Sequence, residues 1–151
     1  MRGNMVANDY AIPGCTCARL RKLSRRVTRV YDSHLAGAGL KTTQYSLLTN
    51  AAREPRTVTD LAAAMGMDRT TLTRNLRPLV AKGWVRLAIG TDPRSRIVEV
   101  TPKGLAARKS AAAQWKRAQA ELQATLGEGF VSDLHATVDA ALAKFGGPPE
   151  E

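Results

Sequence analysis

Asp68-Arg69-Thr70-Thr71-Leu72-Thr73-Arg74-Asn75-Leu76-Arg77 reads as the opening of a helix with two unlike sides. Asp68 is a good N-cap, because its carboxylate can accept a backbone N–H that the first turn leaves unpaired. Leu72, Leu76, Leu79 and Val80 recur at helical spacing and form the stripe expected to be buried. Arg69, Thr70, Thr73, Arg74 and Arg77 fall largely on the other faces, with Thr71 and Asn75 between. Arginine can bind guanine O6 and N7 bidentately, threonine can touch a thymine methyl, and asparagine can pair with adenine. Such a surface suits the major groove of DNA better than plain solvent. The helix should run to about Lys82, with Gly83 closing it. Pro78 should kink its last turn or end it early.

The neighbours on both sides extend this reading. Upstream, a short helix begins near Thr57-Val58-Thr59-Asp60 and runs to Met65, with Gly66 as its stop. Downstream, the period changes to two. Residues 84–89 and 97–101 alternate like strands, and Gly90-Thr91-Asp92-Pro93 supplies the turn between them. The hairpin tip carries Arg94 and Arg96, and an arginine on a projecting loop can enter a narrow minor groove. Short helix, tight turn, polar helix and basic hairpin together make a winged helix-turn-helix.

The flanks are helical. Leu20, Leu23, Val27 and Val30 space a first helix from Cys15 to Leu35, ended by Gly37 and Gly39. A second helix starts after Thr42 or Thr43 and runs to about Arg53, stopped by Glu54-Pro55. Thr101 and Pro102 suit the start of a long Ala-rich helix to about Leu126. A break from Gly127 to Gly129 separates it from a last helix, about Phe130 to Phe145. The fold class is therefore mainly α, with a small β-hairpin wing and terminal helices. The division is an N-terminal arm (1–14), a first-helix region (15–42), a DNA-binding lobe (43–104), C-terminal helices (105–145) and a mobile tail (146–151). Leu20, Leu23, Val27, Val30, Trp115, Leu122, Leu126, Phe130, Leu134 and Leu142 exceed the apolar needs of one small lobe. They are read as surfaces that pair two protomers, since two equal half-sites require two copies.

Composition agrees. In 151 residues, 23 Lys and Arg stand against 13 Asp and Glu, a net charge of +10 that calls for an anionic partner. No apolar run approaches the roughly 20 residues of a membrane span, and the N-terminus has no signal-peptide core, so a cytoplasmic protein without membrane contact is expected. Two cysteines and two histidines leave little from which to build a metal site or a catalytic triad. No phosphate-cradling glycine loop and no convergent carboxylates are present, so no enzyme and no cofactor are expected.

Switching is read from the first helix and its surroundings. Cys15 and Cys17 lie at a helix N-terminus beside Arg19, Arg21 and Lys22, a setting that favours thiolate and its oxidation to sulfenic acid. The alternatives are inert fillers, or metal ligands completed by His34 or a second subunit. A small-molecule effector is the other route. Tyr31, His34, Tyr45 and Trp115 are its candidate contacts, with Arg19 or Arg26 meeting an anionic group.

Over about residues 15 to 145 the chain resembles the MarR family of transcriptional regulators. The most specific match is Asp92-Pro93-Arg94-Ser95-Arg96-Ile97-Val98-Glu99-Val100-Thr101-Pro102-Lys103-Gly104. Gln44-Tyr45-Ser46-Leu47-Leu48, Leu61-Ala62, Thr71-Leu72-Thr73 and Leu79-Val80-Ala81-Lys82-Gly83-Trp84-Val85 also match in order. The resemblance implies a homodimeric repressor on a pseudo-palindromic operator in double-stranded DNA, with an effector pocket between the dimerisation arm and the DNA-binding lobe. It implies that Arg94 probes the minor groove, that Asp92 orients it by an ion pair, and that Arg96 lies near phosphate. Lys103 is grouped with the DNA-contacting residues. Cys17 and Tyr31 also resemble the spacing of the family's hydroperoxide sensors, whereas Thr42 stands where that branch has a second tyrosine. An architectural DNA-binding protein without a switch is the remaining alternative.

Overall fold

The structure, a computed structural model, describes residues 12–146. The tail expected at 146–151 lies outside them apart from Gly146, as does the arm expected at 1–14 up to residue 11. The elements run α1 (Thr16–Leu35), a 3-10 turn (Ala36–Ala38), α2 (Thr42–Ala51), β1 (Arg56–Thr57), α3 (Val58–Ala64), α4 (Arg69–Ala81), β2 (Val85–Ile89), β3 (Arg96–Val100), α5 (Pro102–Leu126) and α6 (Glu128–Phe145).

Local chemistry sets these boundaries. Asp68 caps α4 as expected, its Oδ1 accepting the Thr71 N–H at 2.8 Å. Thr57 caps α3 by accepting the Asp60 N–H at 3.1 Å. Gly66 and Gly83, at φ of 62° and 69°, make the left-handed turns that let the chain leave α3 and α4. α2 begins at Thr42 itself, because Asp32 Oδ1 accepts both its N–H at 2.7 Å and its hydroxyl at 2.6 Å.

Four expectations need correction. Pro78 does not end α4, which continues to Ala81. The proline removes one N–H, but it sits on the exposed side, where water can satisfy the carbonyl one turn back. Val80 is not in the buried stripe: Leu72, Leu76 and Leu79 are buried, whereas Val80 is 40% exposed. Only Gly127 breaks the C-terminal helices, because Gly129 lies inside α6. The hairpin is part of a three-stranded antiparallel sheet of order β1-β3-β2, whose third strand pairs Arg56 with Val98 and Thr57 with Ile97. Two residues are too few for a period to show in the sequence.

The core joins α2, α3 and α4 to the sheet through Leu47, Leu48, Leu61, Leu72, Leu76, Leu79, Val85 and Val98, with Leu35, Leu40 and Ala111 from the flanking elements. α5 runs unbroken through the 104/105 boundary, so its first turn belongs to the lobe. Thr101 locks that turn: its Oγ1 accepts the Gly104 N–H at 3.1 Å and donates to the Gly83 carbonyl at 2.7 Å. Thr101→Ala should lower stability by about 1–2 kcal/mol, the loss of an N-cap. Chemical denaturation of the two proteins checks it; an unchanged midpoint would mean the cap is dispensable.

α6 packs chiefly on α5. Val131 is buried, but Phe130, Val138, Leu142 and Phe145 are exposed along it. On α1, Leu20 is exposed and Leu23, Val27 and Val30 are half-buried. Leu122, Leu126 and Leu134 are also half-buried.

Candidate nucleic-acid interface

α4 presents Arg69, Thr70, Thr73, Arg74 and Arg77 along one open groove of about 380 Å³. All five are exposed. Thr73 donates its hydroxyl to the Arg69 carbonyl at 2.8 Å, which leaves its methyl as the outward group. Thr71 and Asn75 do not join this surface. The Thr71 hydroxyl donates to Asp68 Oδ2 at 2.6 Å, and the half-buried Asn75 turns its amide toward Met67 Sδ at 4.0 Å. Both serve the turn before the helix, a use that their types alone did not reveal.

The Asp68 carboxyl is held below the usual aspartate range, first by the Thr71 hydroxyl and then by the Thr71 N–H. A carboxyl lowered in the folded state stabilises above its unfolded value and loses that contribution as pH falls through the folded one. The window is therefore below about pH 4. Asp68→Asn should flatten this part of the acid-unfolding profile, its cost falling at neutral pH and vanishing at low pH, where the wild-type carboxyl is protonated as well. Titration of the Asp68 carboxyl by NMR gives the direct check, and an ordinary titration midpoint would contradict the cap.

The wing tip follows a different plan from the expected ion pair. Asp92 Oδ1 accepts the backbone N–H of Arg94 at 2.9 Å, and the Asp92 carbonyl accepts the Ser95 N–H at 2.9 Å and hydroxyl at 2.8 Å. Asp92 thus shapes the loop backbone, and no ion pair between it and Arg94 forms among the described residues. Arg96 donates from Nη1 to the carbonyls of Pro93 at 2.8 Å and Ser95 at 2.9 Å. Between the wing and the starts of α3 and α4 lies a smaller cleft of about 220 Å³, lined by Thr57, Val58 and Thr59 and bringing Arg69 beside Arg94 and Arg96. Lys103 is exposed at the start of α5 and lines neither space.

The candidate effector residues divide. Trp115 lies between Tyr31 and Tyr45, with ring centroids 6.4 Å from each. With Thr42, Ser46, Thr49 and Asn50 they line a cavity of about 400 Å³. The Tyr31 hydroxyl donates to Gln119 Oε1, and burial raises its pKa. Thr49 Oγ1 is buried and without a hydrogen-bond partner. Arg19, Arg26 and His34 are not part of this lining. Arg19 donates to the Cys15 carbonyl at 3.1 Å, His34 meets Glu121 at 2.7 Å, and Arg26 is exposed. The cavity therefore lacks the basic group expected for an anion. The polar residues supplied by α2 were missed, although Thr42, Ser46 and Thr49 recur at spacings of four and three.

Cys15 is the N-cap of α1, its Sγ accepting the Ala18 N–H at 3.4 Å, and Cys17 is exposed in the first turn of that helix. His34 is occupied by Glu121, and no cluster of three His, Cys, Asp or Glu suited to a metal occurs among the described residues. No helix among the described residues is long and apolar enough to cross a membrane.

Residues 38–95 match the sequence profile of the MarR family. No curated protein matches the chain. Among solved structures, the chain is similar to the Mycobacterium tuberculosis transcriptional regulator MosR in complex with DNA. Identity is 37%, coverage is 85% of this chain and 97% of that one, and the TM-score is 0.74. It shares the fold of a cysteine-to-serine mutant of Escherichia coli MarR complexed with operator DNA, at 23% identity, 83% and 92% coverage and a TM-score of 0.75. The same holds for the transcriptional repressor CouR bound to a 23-mer DNA duplex, at 24% identity, 85% and 92% coverage and a TM-score of 0.76.

Proposed function

This chain belongs to the MarR family of DNA-binding transcriptional regulators, not enzymes, and we propose that it is a cytoplasmic, homodimeric repressor released from its operator by a small aromatic effector. The observation that carries DNA reading is a set of guanidiniums without carboxylates. Arg69, Arg74 and Arg77 lie exposed on α4 and Arg94 and Arg96 on the wing, and none has a carboxylate partner among the described residues. The similar regulator MosR, solved in complex with DNA, supports DNA as the partner of this chain. α4 enters the major groove, the wing reaches the flanking minor groove, and Lys103 adds charge toward the backbone.

The dimer rests on α1, α5 and α6, through the exposed Phe130, Val138, Leu142 and Phe145. A twofold dimer presents two α4 helices to the halves of a pseudo-palindrome. The effector reading rests on the Tyr31, Tyr45 and Trp115 cavity, to whose lining Thr42, Ser46, Thr49 and Asn50 add polar residues. The ligand acts by favouring a dimer whose reading helices no longer match successive major grooves.

A thiol switch is the second reading, favoured by Cys15 at the N-cap and the exposed Cys17. A hydroperoxide oxidises one thiolate to sulfenic acid and leaves as its alcohol, and a second thiol then condenses with loss of water. Footprinting tests the whole scheme. The repressor should protect a short inverted repeat and leave it on adding an aromatic ligand. Uniform protection of any sequence would instead mark an architectural protein. Release by hydroperoxide from wild type but not from Cys17→Ser selects the thiol switch, and equal release of both rejects it.

A further inference from the structure

We infer that the cavity walled by Tyr31, Tyr45 and Trp115 takes an organic cation, an ammonium group on an aromatic body, rather than an aromatic acid. The inference rests on the effector reading and names its ligand class. The cavity volume of about 400 Å³ falls within the range of small-molecule sites. Three of the lining residues are aromatic, and the Trp115 ring stands 6.4 Å from each tyrosine ring. Ring faces carry negative potential and attract an ammonium within about 6 Å of a centroid.

The polar part of the lining has the matching sign. Tyr31 spends its hydroxyl hydrogen on Gln119 Oε1, and Thr42 spends its own on Asp32 Oδ1 at 2.6 Å. Each of these two oxygens is left with lone pairs only. Asn50 spends an amide N–H on the Ser46 carbonyl at 2.9 Å and keeps its own carbonyl oxygen as an acceptor. Such a lining favours a ligand that brings the hydrogens. Charge then separates a neutral donor from a cation. Asp32 is half-buried, and its Oδ1 takes both bonds from Thr42. It has no cationic partner among the described residues, although the chain carries 23 Lys and Arg. The formal charge bonded to the lining is therefore negative. A part-buried carboxylate without a counter-charge repels an anion and favours a cation over several ångströms. No Lys, Arg or His lines the cavity. Lys41 and Lys116, each next in sequence to a lining residue, are exposed.

The test compares three ligands of similar size by isothermal titration calorimetry on the full chain. They are phenethylamine, which is protonated at neutral pH, phenethyl alcohol and hydrocinnamate. The amine should bind about tenfold more tightly than the alcohol, and the acid more weakly than either. Asp32→Asn keeps an acceptor for Thr42 and removes the charge. It should bring the amine within about threefold of the alcohol and leave the alcohol unchanged. An alcohol or acid that binds wild type as tightly as the amine overturns the assignment. So does the absence of binding by all three, or an equal loss of amine and alcohol in Asp32→Asn. Thermal melts verify folding, and the wild-type ligand series carries the test alone if Asp32→Asn does not fold. Operator release is read separately, by fluorescence anisotropy. An amine that binds with this preference and releases no DNA keeps the ligand class and rejects the effector reading. An acid that binds more tightly than the amine and releases DNA does the reverse.

Discussion

Gly104→Ala should destabilise the fold by about 3 kcal/mol, the upper part of the range for inserting a carbon into a packed site. Gly104 is buried in the first turn of α5. A Cβ there would lie 2.1 Å from the Trp84 carbonyl oxygen, 2.9 Å from its carbon and 2.9 Å from Val100 Cγ1. The first two atoms are backbone, so no rotamer change relieves them. The same carbonyl accepts the Thr101 N–H at 3.0 Å, which closes the base of the wing. Either α5 retreats and the core opens, or that bond breaks and the wing loosens. Calorimetry should show a melting temperature lowered by about 6–12 °C, and operator affinity should fall with it. A melting temperature equal to wild type would show that the approach of α5 to the wing is not a packing constraint.

Arg94→Ala should weaken operator binding by about 1–3 kcal/mol at fixed salt, if the side chain makes a specific groove contact. The stability of the free protein should scarcely change, because the bond that shapes the tip comes from the Arg94 backbone N–H, which alanine keeps. This separates binding from folding. Enhanced negative potential in a narrow minor groove makes the loss larger on an operator with A·T-rich flanks than on one with G·C-rich flanks. Fluorescence anisotropy with both flanking sequences measures this. Equal affinity of wild type and Arg94→Ala on either flank would remove Arg94 from the interface.

The legibility of this chain varies with the range of the interactions involved. The caps at Asp68 and Thr101 were readable from types and order, because a capping bond spans only three residues. The alternation of 84–89 and 97–101 marked two strands, but β1 exists only because Arg56 and Thr57 meet Val98 and Ile97 across some forty residues of chain. Similar limits apply to the site. The exposed arginines of α4 were visible as the complement of a leucine stripe. That Thr71 and Asn75 are spent inside the turn, and that Asp92 holds a backbone N–H rather than a guanidinium, depended on side-chain direction.

The excess of positive charge can be placed in the same way. The sequence by itself determined that an anionic partner is needed and that a helix and a hairpin carry much of the basic character, since charge and periodicity are local properties. It also determined the order of elements that defines a winged helix-turn-helix. Only the tertiary structure decided which arginines share a space. It put Arg69 beside Arg94 and Arg96, from elements far apart in the chain, and kept Arg19 and Arg26 out of the aromatic cavity. Distances between residues remote in sequence are fixed by how the core closes, through Leu72, Leu79, Val85 and Val98, and no local pattern contains them.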